Sequence, residues 1–67
     1  MKKYILFGSG NLGRDALLQI GNENVKCFCD NNKEIVGTKR FGKTTISFEK
    51  LKEVFNDYYI VVICTNY

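Results

Sequence analysis

Apolar residues along this chain change period several times, and each change marks a predicted element. Tyr4-Ile5-Leu6-Phe7 is an unbroken apolar run after Lys2 and Lys3, the pattern of a strand covered on both faces. Leu12, Ala16, Leu17 and Ile20 then share one helical face, with Arg14, Asp15 and Gln19 on the other. Gly21-Asn22 supplies the helix stop. Val25-Lys26-Cys27-Phe28-Cys29 predicts a second strand. From Asn31 to Lys43 the pattern is polar, broken by Ile35-Val36 and Phe41, and predicts a loop or irregular crossover. Thr44-Thr45-Ile46 predicts a short third strand at the sheet edge. Ser47 is placed to cap a helix whose apolar face is Phe48, Leu51, Val54 and Phe55, ended by Asn56-Asp57. Residues 58–64, centred on Ile60-Val61-Val62-Ile63, predict a last buried strand.

In order this reads β-α-β-loop-β-α-β, an α/β chain with a parallel sheet. Right-handed crossovers put the first strand in the centre, the second on one side and the last on the other. A ligand crevice is then expected above the carboxyl ends of strands 4–7 and 58–64, with Thr65 and Asn66 at its border.

The junction of the first strand and first helix reads Gly8-Ser9-Gly10-Asn11-Leu12-Gly13, a G-x-G-x-x-G turn. Each glycine has its own task in such a turn. Gly8 lets the chain leave the strand sharply, Gly10 removes a side chain where a pyrophosphate approaches, and Gly13 lets helix and strand pack closely. The amides and positive dipole end of the helix face the anion. The alternative is a glycine-rich turn without a ligand. Asp30 ends the second strand at the spacing where a Rossmann unit carries its ribose-binding acid. A carboxylate there accepts from ribose 2′- and 3′-hydroxyls and repels a 2′-phosphate, favouring NAD or another ribonucleotide over NADP. Lys33 and Arg40 follow near the same edge. Asp30 can equally begin the polar turn Asp30-Asn31-Asn32. The candidate binding residues are thus Gly8, Ser9, Gly10, Asn11, Leu12, Gly13, Asp30, Asn31 and Thr65.

With 67 residues the chain is shorter than a whole dinucleotide-binding domain, so it is expected to be the amino-terminal part of a larger domain. Its net charge of +3 is modest, and the cluster Lys39-Arg40…Lys43 suits a solvated loop better than a nucleic-acid surface. Cys27, Cys29 and Cys64 occur in a chain without histidine and lack the second ligand pair of a zinc site, which predicts reduced core thiols and a cytoplasmic protein. No apolar run has transmembrane length or the form of a signal peptide. An apolar last strand with no covering helix in the sequence predicts a homo-oligomer or a carboxyl-terminal continuation over it.

The stretches 2–14, 28–32 and 45–49 together resemble the bacterial Rossmann domains of surface-polysaccharide biosynthesis. These comprise the nucleoside-diphosphate-sugar epimerase or dehydratase type and the amino-terminal domain of sugar-nucleotide acetyltransferases. The resemblance implies a Rossmann-like fold and a small-molecule nucleotide ligand, NAD in the first type and a nucleotide sugar in the second. The Tyr-x-x-x-Lys pair of the short-chain epimerases is missing, since none of Tyr4, Tyr58, Tyr59 and Tyr67 has lysine at that spacing. No catalytic residue is assigned in the segment. Three readings stay open: a nucleotide-binding module of a sugar-modifying enzyme, a regulatory ligand-sensing domain akin to those of potassium-transport regulators, and a scaffold half-domain without ligand.

Overall fold

The computed structural model describes residues 2–64. Its elements are β1 (Lys3–Phe7), α1 (Asn11–Ile20), a single 3-10 turn (Asn22–Asn24), β2 (Val25–Cys29), β3 (Lys39–Arg40), β4 (Lys43–Ile46), α2 (Phe48–Val54) and β5 (Tyr59–Ile63). Five strands form one sheet in the order β3-β4-β2-β1-β5. The pairs β1–β2, β1–β5 and β2–β4 are parallel, and only β3 runs antiparallel, on β4. The architecture is α/β with a mixed, mostly parallel sheet. β1 lies between β2 and β5, as the crossover argument requires.

Each face of the sheet carries its own core. On one, Leu17 of α1 packs with Leu6, Val25, Phe28 and Cys64. On the other, Leu51 of α2 packs with Ile5, Cys27 and Cys29. The division of β2 depends on a register shift: Tyr4 is opposite Val25, whereas Ile5 is opposite Cys27. The irregularity lets Val25 join Phe28 beneath α1 while Cys27 and Cys29 face α2. Both helix ends obey the sequence signals. Gly21 closes α1 with φ 104°, a region costly for side-chain-bearing residues. At α2 the Ser47 hydroxyl accepts from the Lys50 amide at 3.1 Å.

Three features differ from the pattern-based expectation. The polar stretch before β4 contains β3, because Phe41 and Gly42, with φ 53° and 83°, make a two-residue reversal that folds Lys39-Arg40 back on β4. The turn breaks the apolar alternation that would have marked a strand. Leu12, assigned to the buried face of α1, is 46% exposed, because it lies in the first turn beyond the sheet it would cover. β5 is not buried: Ile60 and Ile63 are exposed on its two faces, since β5 is an outermost strand. Among the described residues no helix is long and apolar enough to cross a membrane.

Candidate functional site

The carboxyl ends of β1 and β2 lie side by side and bring the glycine turn against Asp30. Gly8 leaves β1 with φ 112°, and its amide donates to the Cys29 carbonyl at 2.7 Å. Ser9 is buried beneath the turn. Its amide and its hydroxyl both donate to Oδ2 of Asp30, each at 3.3 Å. The other oxygen, Oδ1, accepts from the Asn32 amide at 2.9 Å. Asp30 therefore starts the polar turn and also ties β2 to the glycine turn. The bonds from Ser9 are long, and a carboxylate has about four acceptor positions, so Asp30 retains capacity for a further donor.

Gly10 is the N-cap of α1, in extended conformation, and its carbonyl accepts from the Arg14 amide at 3.0 Å. No side chain caps the helix, and its first turn holds no acidic residue. The leading amides of an α-helix have no intrahelical acceptor, so their donors and the positive dipole end here lack a side-chain counterpart. The second and third glycines of this turn differ in what surrounds them. A Cβ at Gly13 would collide with the Gly8 carbonyl oxygen and come within 3.1 Å of the Phe28 ring. Gly13 is required by helix–strand packing alone. A Cβ at Gly10 meets nothing within 4 Å. The protein's own packing gives no reason for glycine at position 10.

Of the predicted binding residues, Gly8 to Gly13 and Asp30 form one locus. Asn11 and Leu12 are exposed at the start of α1. Asn31 is exposed and, with Asp30, Lys33, Ser47 and Glu49, lines a neighbouring cavity of about 230 Å³ on the α2 side. Thr65 lies outside the described residues. Arg40 is drawn to its own hairpin, with its guanidinium 5.8 Å from the centre of the Phe41 ring. The link from Ser9 to Asp30 was not read from the sequence. Its only signal there is a hydroxyl residue between glycines that faces an acid one strand away.

The remaining reactive side chains serve packing. Cys27, Cys29 and Cys64 are buried free thiols. Burial pushes the pKa of Cys29 up to about 11, with smaller upward contributions from Cys27, Asp30 and Glu49. Burial also raises Cys27 and Cys64. The thiols stay protonated at neutral pH and are poor nucleophiles. Tyr58 and Tyr59 stack edge to face at 5.2 Å, with the Lys26 ammonium 5.9 Å from the Tyr59 ring. Among the described residues no group of three or more His, Cys, Asp and Glu side chains is arranged to hold a metal ion. The arrangement sets the uncapped amides of a helix start beside a carboxylate acceptor. Compared with known proteins, the chain matches no family model and has no significant similarity to a curated protein.

Proposed function

We propose that this chain is a nucleotide-binding module of Rossmann-like type. Residues 8–13 cradle a pyrophosphate and Asp30 accepts from a ribose. The observation that carries the reading is Gly10: an N-cap with open space where a side chain would stand, in front of a helix start without an acidic or side-chain cap. A turn that served packing alone would need Gly13 and Gly8 but could carry a larger residue at position 10. The ligand is NAD or a nucleotide sugar, each of which joins a pyrophosphate to a ribose with free hydroxyls. The resemblance to sugar-nucleotide domains extends the reading to a part of a sugar-modifying enzyme whose catalytic groups lie elsewhere.

The open space also makes the test clean. Gly10→Val places its side chain in solvent, so the fold is retained with a small loss at the cap. Isothermal calorimetry with NAD and with a UDP-sugar should find binding to the wild-type chain and none to Gly10→Val. Asp30→Ala should weaken it by about one to two decades, the loss of a charge-assisted hydrogen bond. Equal affinity for wild type and Gly10→Val would refute the cradle.

A further inference from the structure

The two edges of the sheet are built on opposite plans. The outer strand on one side, β3, has two residues, Lys39 and Arg40, both charged. Short, charged edges resist pairing with another chain. The outer strand on the other side, β5, has five residues, Tyr-Ile-Val-Val-Ile, with no charge, proline or glycine. Its pairing with β1 runs from Lys3–Tyr59 to Phe7–Ile63 without a bulge. Among the described residues β5 carries none of the usual protections of an edge strand.

Hydrogen bonding fixes which groups of β5 face outward. The Lys3 amide donates to the Tyr58 carbonyl and the Cys64 amide to the Phe7 carbonyl, so even-numbered residues of β5 bond to β1. Val61 and Ile63 then direct both their amides and carbonyls to the outer edge. Tyr59 directs its carbonyl outward, while its amide donates to Asn56 at 3.1 Å. The side chains are exposed or half-buried on both faces of this strand. Phe7, Phe48, Phe55, Val61 and Ile63 line an apolar groove of about 420 Å³ along the α2 face. On the α1 face, Tyr4, Ile20 and Ile60 border a second hollow.

We propose that β5 pairs antiparallel with β5 of a second copy of this chain, about a two-fold axis through Val61. In this register Val61 exchanges both of its outward hydrogen bonds with Val61 of the second copy. The Ile63 amides donate to the Tyr59 carbonyls on either side. Every outward donor on the edge finds an acceptor. The cross-strand neighbours are Tyr59 with Ile63 and Val61 with itself on one face, and Ile60 with Val62 on the other. All are apolar or aromatic contacts, and no like charges meet within the strand. The two grooves on the α2 side become continuous across the axis. A second copy fits better than an unrelated strand because the edge is self-complementary about its central residue, as an isologous interface requires. The inference does not depend on nucleotide binding.

Sedimentation equilibrium on the full 67-residue chain and oxidative cross-linking test it together. A concentration-dependent dimer is expected. Ile63→Lys should weaken it by about tenfold or more with an unchanged circular dichroism spectrum, since two Tyr59–Ile63 pairs are lost. V61C should form a disulfide dimer under mild oxidation because the axis brings it against itself, whereas I63C, opposite Tyr59, should not. The native thiols are buried, so the wild type is the control. A monomer at all concentrations overturns the proposal, as does a V61C thiol that stays free under oxidation. Equal cross-linking by V61C and I63C, or a dimer indifferent to Ile63→Lys, overturns the register.

Discussion

The two faces of the sheet receive helices with similar apolar patterns and end in different states. Beneath α1 the core is closed: Leu6, Val25 and Phe28 are almost wholly buried, and Gly13 brings the helix axis down onto the strand. Beneath α2 the cover is partial. Leu51 is buried, but Phe48, Phe55 and Ile63 remain 43%, 49% and 61% exposed around an apolar groove. The difference lies in reach. α1 has ten residues and rests on β1 and β2 through a glycine, whereas α2 has seven and buries only Leu51. A helix-period stripe announces that a face will be buried. How much of the sheet it covers depends on helix length and on how closely the backbones approach.

The largest test of this contrast sets one residue from each region side by side. Phe28→Ala should cost about 3–5 kcal/mol, as buried aromatic truncations do, with Ile63→Ala below about 1 kcal/mol in dilute monomer. Urea melts of both variants measure it, and equal losses would mean that the β5 flank is already covered. Next in size is Gly13→Ala. Despite a helix-propensity gain of about 1 kcal/mol, forcing a methyl against the Gly8 carbonyl should leave a net loss of about 1–3 kcal/mol. Gly10→Ala meets no clash and should cost less, below about 1 kcal/mol for the poorer N-cap, in the same melt.

Alkaline titration sharpens the account of the α2 face. Cys29 has its folded-state pKa raised from 9.0 to about 11 by burial, so the folded protein holds this proton more tightly than the unfolded chain. Its contribution is complete below pH 9 and is lost as the pH rises through 11. Thermal melts should show a steeper fall in Tm between these limits for the wild type than for Cys29→Ala. The smallest expected effect is a gain. Thr45, next to Phe28 across the strand pair, is buried with its hydroxyl unpartnered among the described residues. Thr45→Val should stabilise the protein by about 1 kcal/mol, read as an increase in the urea midpoint.

The sequence was most legible where local chemistry acts alone. The Ser47 cap, the Gly21 stop and the glycine turn all follow from short-range rules, whereas the 44–46 strand, expected at the sheet edge, lies inside it between β3 and β2. It was least legible where two distant segments decide the outcome. β3 exists because an aromatic residue, Phe41, accepts a positive φ, its ring tilted against Phe28 at 6.1 Å, which no propensity rule anticipates. The apolar run of β5 read as a buried strand because composition records hydrophobicity, whereas exposure depends on which neighbour lies beyond it. At the candidate site, the glycine and acid motifs were readable singly. Their joining through Ser9 and Oδ2 of Asp30 required the parallel register of β1 and β2.

The central place of β1 has a consequence for the order of folding. Its neighbour β2 follows after one short helix, but its other neighbour, β5, comes only after β2, β3, β4 and α2. Closing so long a loop costs more entropy than closing the first β-α-β unit, and contacts of high sequence separation form late. During synthesis the glycine turn, α1 and β2 can assemble while one edge of β1 still waits for its partner. β1 is thus made before either strand it pairs with and is among the last to be completed.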